Sequence, residues 1–334
     1  MTFRSTAILA VFSAVLAAPL FLRAQFVPDP LSLIASPSSP SPGQELRVEA
    51  ATPTFDRNTA LFDWRVDGKA RPDISGVGQS SITLKAPSTI GSAVRVTVTV
   101  SRLDGTQNAL SLSIPVSELS LVWYAHTTVP AWYKGKALPG QNSDVDITAF
   151  PEIILDGRRV ASEDLIYHWN IDDADSETSS VGKSTFRLRT SEFSKVTHTV
   201  KVRVEDLDKK IQKSRTLYLA PVAPRVAIYT LSPLGGPEVR SALFSSASIR
   251  GILDFLAEPF FFSAQSKKNL SYQWKIGQVA ARGVPENPFL LTLDAREASR
   301  RSDLSSLSVS IKSNQELTPA AVKIIKLEIL PENP

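Results

Sequence analysis

No cysteine occurs anywhere in the 334 residues. Its absence excludes disulfides, thiolate catalysis, cysteine-ligated metal sites and lipid attachment at a cysteine. An oxidising compartment stays open, because domains of about 100 residues bury enough apolar surface without crosslinks. Histidine is nearly as scarce, with only His126, His168 and His198 available for imidazole chemistry. No Gly-x-Ser-x-Gly elbow, His-Glu-x-x-His run, phosphate-cradling loop or dinucleotide fingerprint accompanies them. The expectation is therefore a protein that is not an enzyme, without catalytic residues and without cofactors. Basic residues number 37 against 33 acidic ones, but they form no run, and a phosphate-binding face needs one. Nucleic acid is not an expected partner. The pairs Lys209-Lys210, Lys267-Lys268 and Arg300-Arg301 read as solvated loop charges.

Long apolar runs are also missing, except at the amino end. Arg4 precedes an uncharged stretch, Ala7 to Leu22, and Leu22-Arg23-Ala24 places a small residue before Gln25. This order matches a secretory signal peptide over residues 1–24. A retained anchor is the alternative, but the run is short for a bilayer span and Pro19 interrupts it. The expected location is extracellular, cell-surface or periplasmic, with no membrane span after cleavage.

What the sequence has is a period. Phe62-Asp63-Trp64, Tyr167-His168-Trp169 and Tyr272-Gln273-Trp274 are aromatic-x-Trp triplets 105 residues apart, and they use three of the five tryptophans. A fixed spacing of that length matches one β-sandwich per repeat. Phe62, Trp64 and Val66 share one face of a strand. Val94, Val96, Val98 and Val100 alternate with polar residues, and Val200, Val202 and Val204 repeat that ladder. In the third repeat Leu304, Leu307, Val309 and Ile311 stand in its place, and Ile324–Leu330 reads as the closing strand. Ala-x-Pro recurs at Ala51-Thr52-Pro53, Ala149-Phe150-Pro151 and Ala257-Glu258-Pro259. It reads as the end of each second strand, where proline stops ladder pairing. Ser248–Leu256 has partly helical spacing, but its register before Ala-x-Pro favours strand. The expected fold is all-β, with three tandem immunoglobulin-like sandwiches over residues 25–117, 118–222 and 223–334.

Tyr167-His168-Trp169-Asn170-Ile171-Asp172-Asp173, followed by the strand His198–Asp206, resembles the core of a PKD domain. Ile171-Asp172-Asp173 departs from the Phe-Gly-Asp of that family's pattern. Trp64-Arg65-Val66-Asp67-Gly68 and the Val94–Val100 strand carry the likeness in the first repeat, and Tyr272-Gln273-Trp274 carries it in the third. The resemblance implies an immunoglobulin-like sandwich of the kind found in bacterial surface proteins. The segments 122–125, 130–139 and 142–151 are similar to stretches in tandem PKD-like surface proteins, some associated with type IV pilus components. The likeness thus implies an exported adhesion or interaction scaffold whose partner is an envelope or surface protein. The alternative is an array of carbohydrate-binding accessory modules with a glycan as ligand.

Two groups of residues are candidates for binding. Trp123, Trp132 and Tyr133 lie near Lys134, and flat aromatics there suit either sugar stacking or a protein hot spot. The competing reading is that Trp123 belongs to a strand while Trp132 and Tyr133 cap the junction of the first and second units. Phe260-Phe261-Phe262 reads the same way at the other junction. Asp172, Asp173, Asp175 and Glu177 form the densest acidic cluster, and oxygen-rich loops can hold calcium. The cluster lacks the glycine and distant glutamate of an EF-hand, and the other repeats do not share it. An exposed acidic turn is the simpler reading, and no metal is expected.

Overall fold

The computed structural model describes residues 31–52, 55–155, 157–174, 177–209, 211–232, 236–238, 242–243, 245–263, 266–296, 305–313 and 321–330. The first unit runs β1 (Ser32–Ser36), β2 (Glu45–Ala51), β3 (Leu61–Val66), β4 (Lys69–Ala70), β5 (Gly76–Val77), β6 (Ser81–Lys85), β7 (Ala93–Ser101) and β8 (Gln107–Pro115). One sheet has the order β1-β2-β6, and the other β4-β3-β7-β8 with β5 beside β3. In the second unit come β9 (Glu118–Ala125), β10 (Asp144–Glu152), β11 (Ile154–Leu155), β12 (Arg158–Arg159), β13 (Leu165–Ile171), β14 (Thr178–Val181), β15 (Thr185–Arg189), β16 (His198–Asp206) and β17 (Gln212–Leu219). Their sheets are β15-β10-β9 and β14-β13-β16-β17, with β11 and β12 as a separate hairpin.

The third unit repeats the plan with β18 (Arg225–Ser232), β19 (Gly236–Pro237), β20 (Ser246–Ile249), β21 (Ile252–Phe260), β22 (Leu270–Ile276), β23 (Val279–Ala281), β24 (Leu290–Asp294), β25 (Ser306–Ser313) and β26 (Ala321–Ile329). Its sheets are β19-β18-β21-β24 and β20-β26-β25-β22-β23, and β20 runs parallel to β26. In each unit the first two long strands pair with a later edge strand, facing a sheet built on the Trp strand and the last two strands. That is the immunoglobulin-like order.

Alternation decides which side chains meet between the sheets. Each unit has its own buried apolar cluster, containing Trp64, Trp169 and Trp274 respectively. These rings are 0%, 3% and 1% exposed. A buried indole N–H needs an acceptor. Trp64 Nε1 donates to the Gln79 carbonyl (2.8 Å), Trp169 Nε1 to Lys183 (3.3 Å) and Trp274 Nε1 to Pro288 (2.9 Å). Each acceptor lies just before the edge strand of the opposite sheet, β6, β15 or β24. Two units add a tyrosine hydroxyl that donates five residues back: Tyr167 to the Ser162 carbonyl (3.2 Å) and Tyr272 to Lys267 (3.0 Å). Phe62 holds the corresponding place in the first unit.

Two details differ from the sequence expectation. Pro151 and Pro259 do not end their strands: they pair in register with Leu119 and Val226. The physical reason is direction. Ala149 and Ala257 donate their N–H groups toward the edge-strand side, to Ser184 and Phe289, so the prolines two residues on point their nitrogens the same way. There β15 and β24 pair only as far as Thr148 and Leu256, so no ladder bond is lost. The segment around Ser248–Leu256 is strand, but Arg250-Gly251 divides it between β20 and β21. Leu304 and Pro53 lie outside the described residues.

Trp64→Ala, Trp169→Ala and Trp274→Ala should each destabilise their own unit by about 3–5 kcal/mol. The clusters are separate, so the other two units should keep their melting transitions in calorimetry. A single merged shift of all transitions would contradict independent cores.

Candidate functional site

The loop between β9 and β10 reaches out of the second unit and packs on the third. Trp132 meets the Tyr229 ring edge-on with centroids 5.2 Å apart and lies 6.4 Å from Phe260. Tyr133 packs against Phe260 at 5.4 Å and Phe261 at 6.4 Å. Main-chain bonds hold the same contact: Phe261 N–H donates to the Thr128 carbonyl (2.7 Å) and Thr128 N–H to Phe262 (2.9 Å). The Ser263 hydroxyl donates to the Asn142 carbonyl (2.6 Å). Gly140 lies so close to the Phe261 carbonyl that any Cβ would overlap it. Trp132 and Tyr133 are thus at the junction of the second and third units, not that of the first and second. Phe260-Phe261-Phe262 lies at the junction of the second and third units, as expected, and Trp132 and Tyr133 join it there. Spacing could not show this, because the loop projects past the following unit's first strand.

Beside the contact lies a cleft of about 690 Å³ between residues Thr127–Trp132 and the outer face of β18, β21 and β24. Outward alternation places Leu231, Leu256 and Leu290 on its floor, with Phe289 and Pro237 beside them. Glu258 is buried and accepts a bond from Lys267 Nζ at 2.9 Å. That ammonium also sits 4.2 Å from the centre of the Phe289 ring. Lys267 is therefore not a solvated loop charge. Burial, with the nearby Glu258 charge, pushes the Tyr272 and Tyr229 hydroxyls above their ordinary pKa. The signal for this pair was a lone glutamate inside the apolar run from Phe255 to Phe262.

Trp123 is half-buried on β9 and packs against the second unit's core. Lys136 Nζ lies 3.2 Å from the centre of its ring, and burial lowers the Lys136 pKa. Lys134 is exposed. Tyr124, on the opposite face of β9, is 63% exposed and lines the cleft. Its ring stands edge-on to His126 at 5.1 Å. His126 Nε2 in turn lies 2.7 Å from Asp146, which also accepts from Arg187 Nε at 2.6 Å. The Arg187 bond, joined by His126, holds the Asp146 pKa down to about 2.

The acidic cluster is divided among separate partners. Asp172 accepts from the Thr199 N–H (2.7 Å) and pairs with His198 Nδ1 (2.8 Å). Asp173 pairs with Lys201, and Glu177 accepts from Arg203 (2.8 Å). Asp175 lies outside the described residues. These carboxylates face cations rather than one common point, and among the described residues no three metal-capable groups converge. His198 is buried at the start of β16, with Nε2 accepting the Ser191 N–H at 2.8 Å. His168 points away from Tyr167 and Trp169 and lies 2.7 Å from the Ser179 hydroxyl and 3.1 Å from Glu205.

The other junction rests on a residue the sequence reading passed over. Lys213 on β17 is 8% exposed, and its ammonium donates to the Ser39 carbonyl (2.9 Å) and the Ser41 hydroxyl (2.8 Å) of the first unit. Burial lowers its pKa. Ile154 fills the space above Gly91, where a Cβ would meet it at 2.6 Å. Alternation carried the signal, since Lys213 shares its strand face with Ile211, Leu217 and Leu219.

No known family profile matches the chain, and no curated protein does. Similar solved structures include three N-terminal domains of the bacteriophage RB49 Highly Immunogenic Outer Capsid protein. That alignment has 14% identity, covers 90% of this chain and 99% of that one, and has a TM-score of 0.24. Fibronectin(III)-like modules of Clostridium thermocellum CbhA align at 12% identity over 58% of this chain and 94% of theirs, with a TM-score of 0.26. Bacteroides ovatus SGBP-B, solved with a mixed-linkage heptasaccharide, aligns at 10% identity over 87% of this chain and 66% of its own, with a TM-score of 0.22. The fold rests on the strand order above.

Trp123→Ala should lower the melting transition of the second unit. Trp132→Ala should leave the three transitions nearly in place but loosen the second unit from the third, seen as a broader distance distribution in small-angle scattering. A wild-type distribution for Trp132→Ala would remove it from the junction. A second expectation concerns pH. The folded Asp146 pKa lies below its unfolded value of about 3.9, so the Arg187 pairing stabilises the fold above that pH. The stability is lost as pH falls toward the folded value of about 2. The melting-temperature gap between wild type and Asp146→Asn should therefore be present at neutral pH and close in acid.

Proposed function

We propose that the chain is an exported, non-enzymatic interaction scaffold that presents three immunoglobulin-like units at the cell surface or in the envelope, with an envelope or surface protein as partner. The observation that carries this reading is the clamping of both junctions by inserted side chains. Lys213 reaches into the first unit, and Trp132 and Tyr133 reach onto the third. Coupled units hold faces and end loops in fixed relation, which suits presentation to a partner. No helix among the described residues is long and apolar enough to cross a membrane. Pilus components belong to the same class of partner. The alternative, glycan binding through Trp123 and Trp132, needs open ring faces. Lys136 covers one face of Trp123, and Trp132 is half-buried against Tyr229 and Phe260.

Fractionation with N-terminal sequencing tests the reading. The protein is expected in the envelope or secreted fraction with its first residue near Gln25. An intact Met1 on a cytosolic protein would overturn it.

A further inference from the structure

The first two units share a surface feature that their cores do not explain. Leu61 and Ile166 lie at the start of the two tryptophan strands, 105 residues apart, and alternation turns both outward. Leu61 pairs across to Val77 on β5, and Ile166 pairs across to Val181 on β14. On the other side Leu61 faces Ser101 and Ile166 faces Glu205. Two residues beyond those partners each hairpin tip carries a leucine, Leu103 in the first unit and Leu207 in the second. The tips make the same turn. The Gly105 N–H donates to the Arg102 carbonyl (3.1 Å), and the Lys209 N–H donates to the Asp206 carbonyl (2.9 Å). Such turns favour small or polar residues, yet Leu103 is 86% exposed and Leu207 63%. Val77 and Val181 are exposed as well.

Single exposed leucines are ordinary, whereas these apolar corners repeat position by position in two units. The fold does not demand them, because Ser271 takes the place of Leu61 and Ile166 in the third unit. Charge limits what can meet them. Arg102 and Asp104 flank Leu103, and Asp208 and Lys209 follow Leu207, so each leucine has one acid and one base beside it. A strongly charged partner gains nothing at such a corner, and two corners approach without like-charge repulsion. Spacing narrows the partner further. A second copy of the chain carries the same two corners, one unit apart and with the same rotation between the units. Once one corner is engaged the other meets its counterpart at high effective concentration, so two small contacts make one stable association.

We infer that the corners Leu61-Val77-Leu103 and Ile166-Val181-Leu207 form a two-point interface between copies of this chain. The inference goes beyond the scaffold reading and does not need it.

Sedimentation velocity of the mature-length chain, from about 1 μM to about 0.1 mM, reads the association directly. The chain should pass from monomer to dimer within that range. Leu103→Lys and Leu207→Lys each put a charge into one corner and should weaken association at least about tenfold, equivalent to ~1.4 kcal/mol. Melting transitions should stay in place, because neither leucine belongs to a core cluster. The double variant should be monomeric throughout. Ile252→Lys changes an exposed apolar residue of the third unit and should leave association unchanged. A wild-type chain that stays monomeric overturns the inference, as does a dimer unaffected by one or both leucine variants, or one broken by Ile252→Lys. A monomer whose capture of an envelope protein is lost with both leucine variants would assign the corners to a different partner and overturn it too.

Discussion

The structure depends on one requirement, repeated three times: a tryptophan taken out of water must find an acceptor for its indole N–H. In each unit that acceptor is a main-chain carbonyl just ahead of the edge strand in the opposite sheet. The bond therefore crosses the sandwich and sets how far the two sheets stand apart. Burial of the ring supplies most of the energy, and the bond supplies the position. The valine ladders on the following strand pack around that fixed point. Because each unit meets the requirement with its own residues, each has its own core.

The junctions follow a different logic. Each is held by side chains that leave their own unit. At the first, a lysine ammonium loses water and regains it as two oxygens from the neighbouring proline-rich turn. At the second, aromatic edges meet aromatic faces and two main-chain bonds close the gap. The carboxylates of the acidic turn stay local, each answering a base on an adjacent strand. The second junction also leaves a walled space beside it, which makes the cleft a by-product of how the units are fastened.

How much of this could be read from the sequence divides along the range of the interaction. The triplets around Trp64, Trp169 and Trp274, and the alternation of Val94–Val100, report contacts within a strand or between neighbours, so fold class and repeat were legible. Trp132 and Phe260 are 128 positions apart, and no local period links them, so Trp132 was assigned to the wrong junction. Lys213 and Glu258 sat in plain view as single charges on apolar faces. Composition treats such residues as surface, and only the packing shows what answers them. The prolines of Ala-x-Pro misled for a related reason: whether a proline ends a strand depends on which side its nitrogen faces.

That orientation has an effect beyond the single chain. Where β10 and β21 run on past their edge strands, they would offer unpaired amides to any passing strand, including one from another copy. Pro151 and Pro259 replace an amide with a ring at those margins. A protein built of many short sheets would otherwise carry an open edge there in its second and third units. At those margins the two prolines offer no amide to a further strand, and they cost the sheet no internal bond.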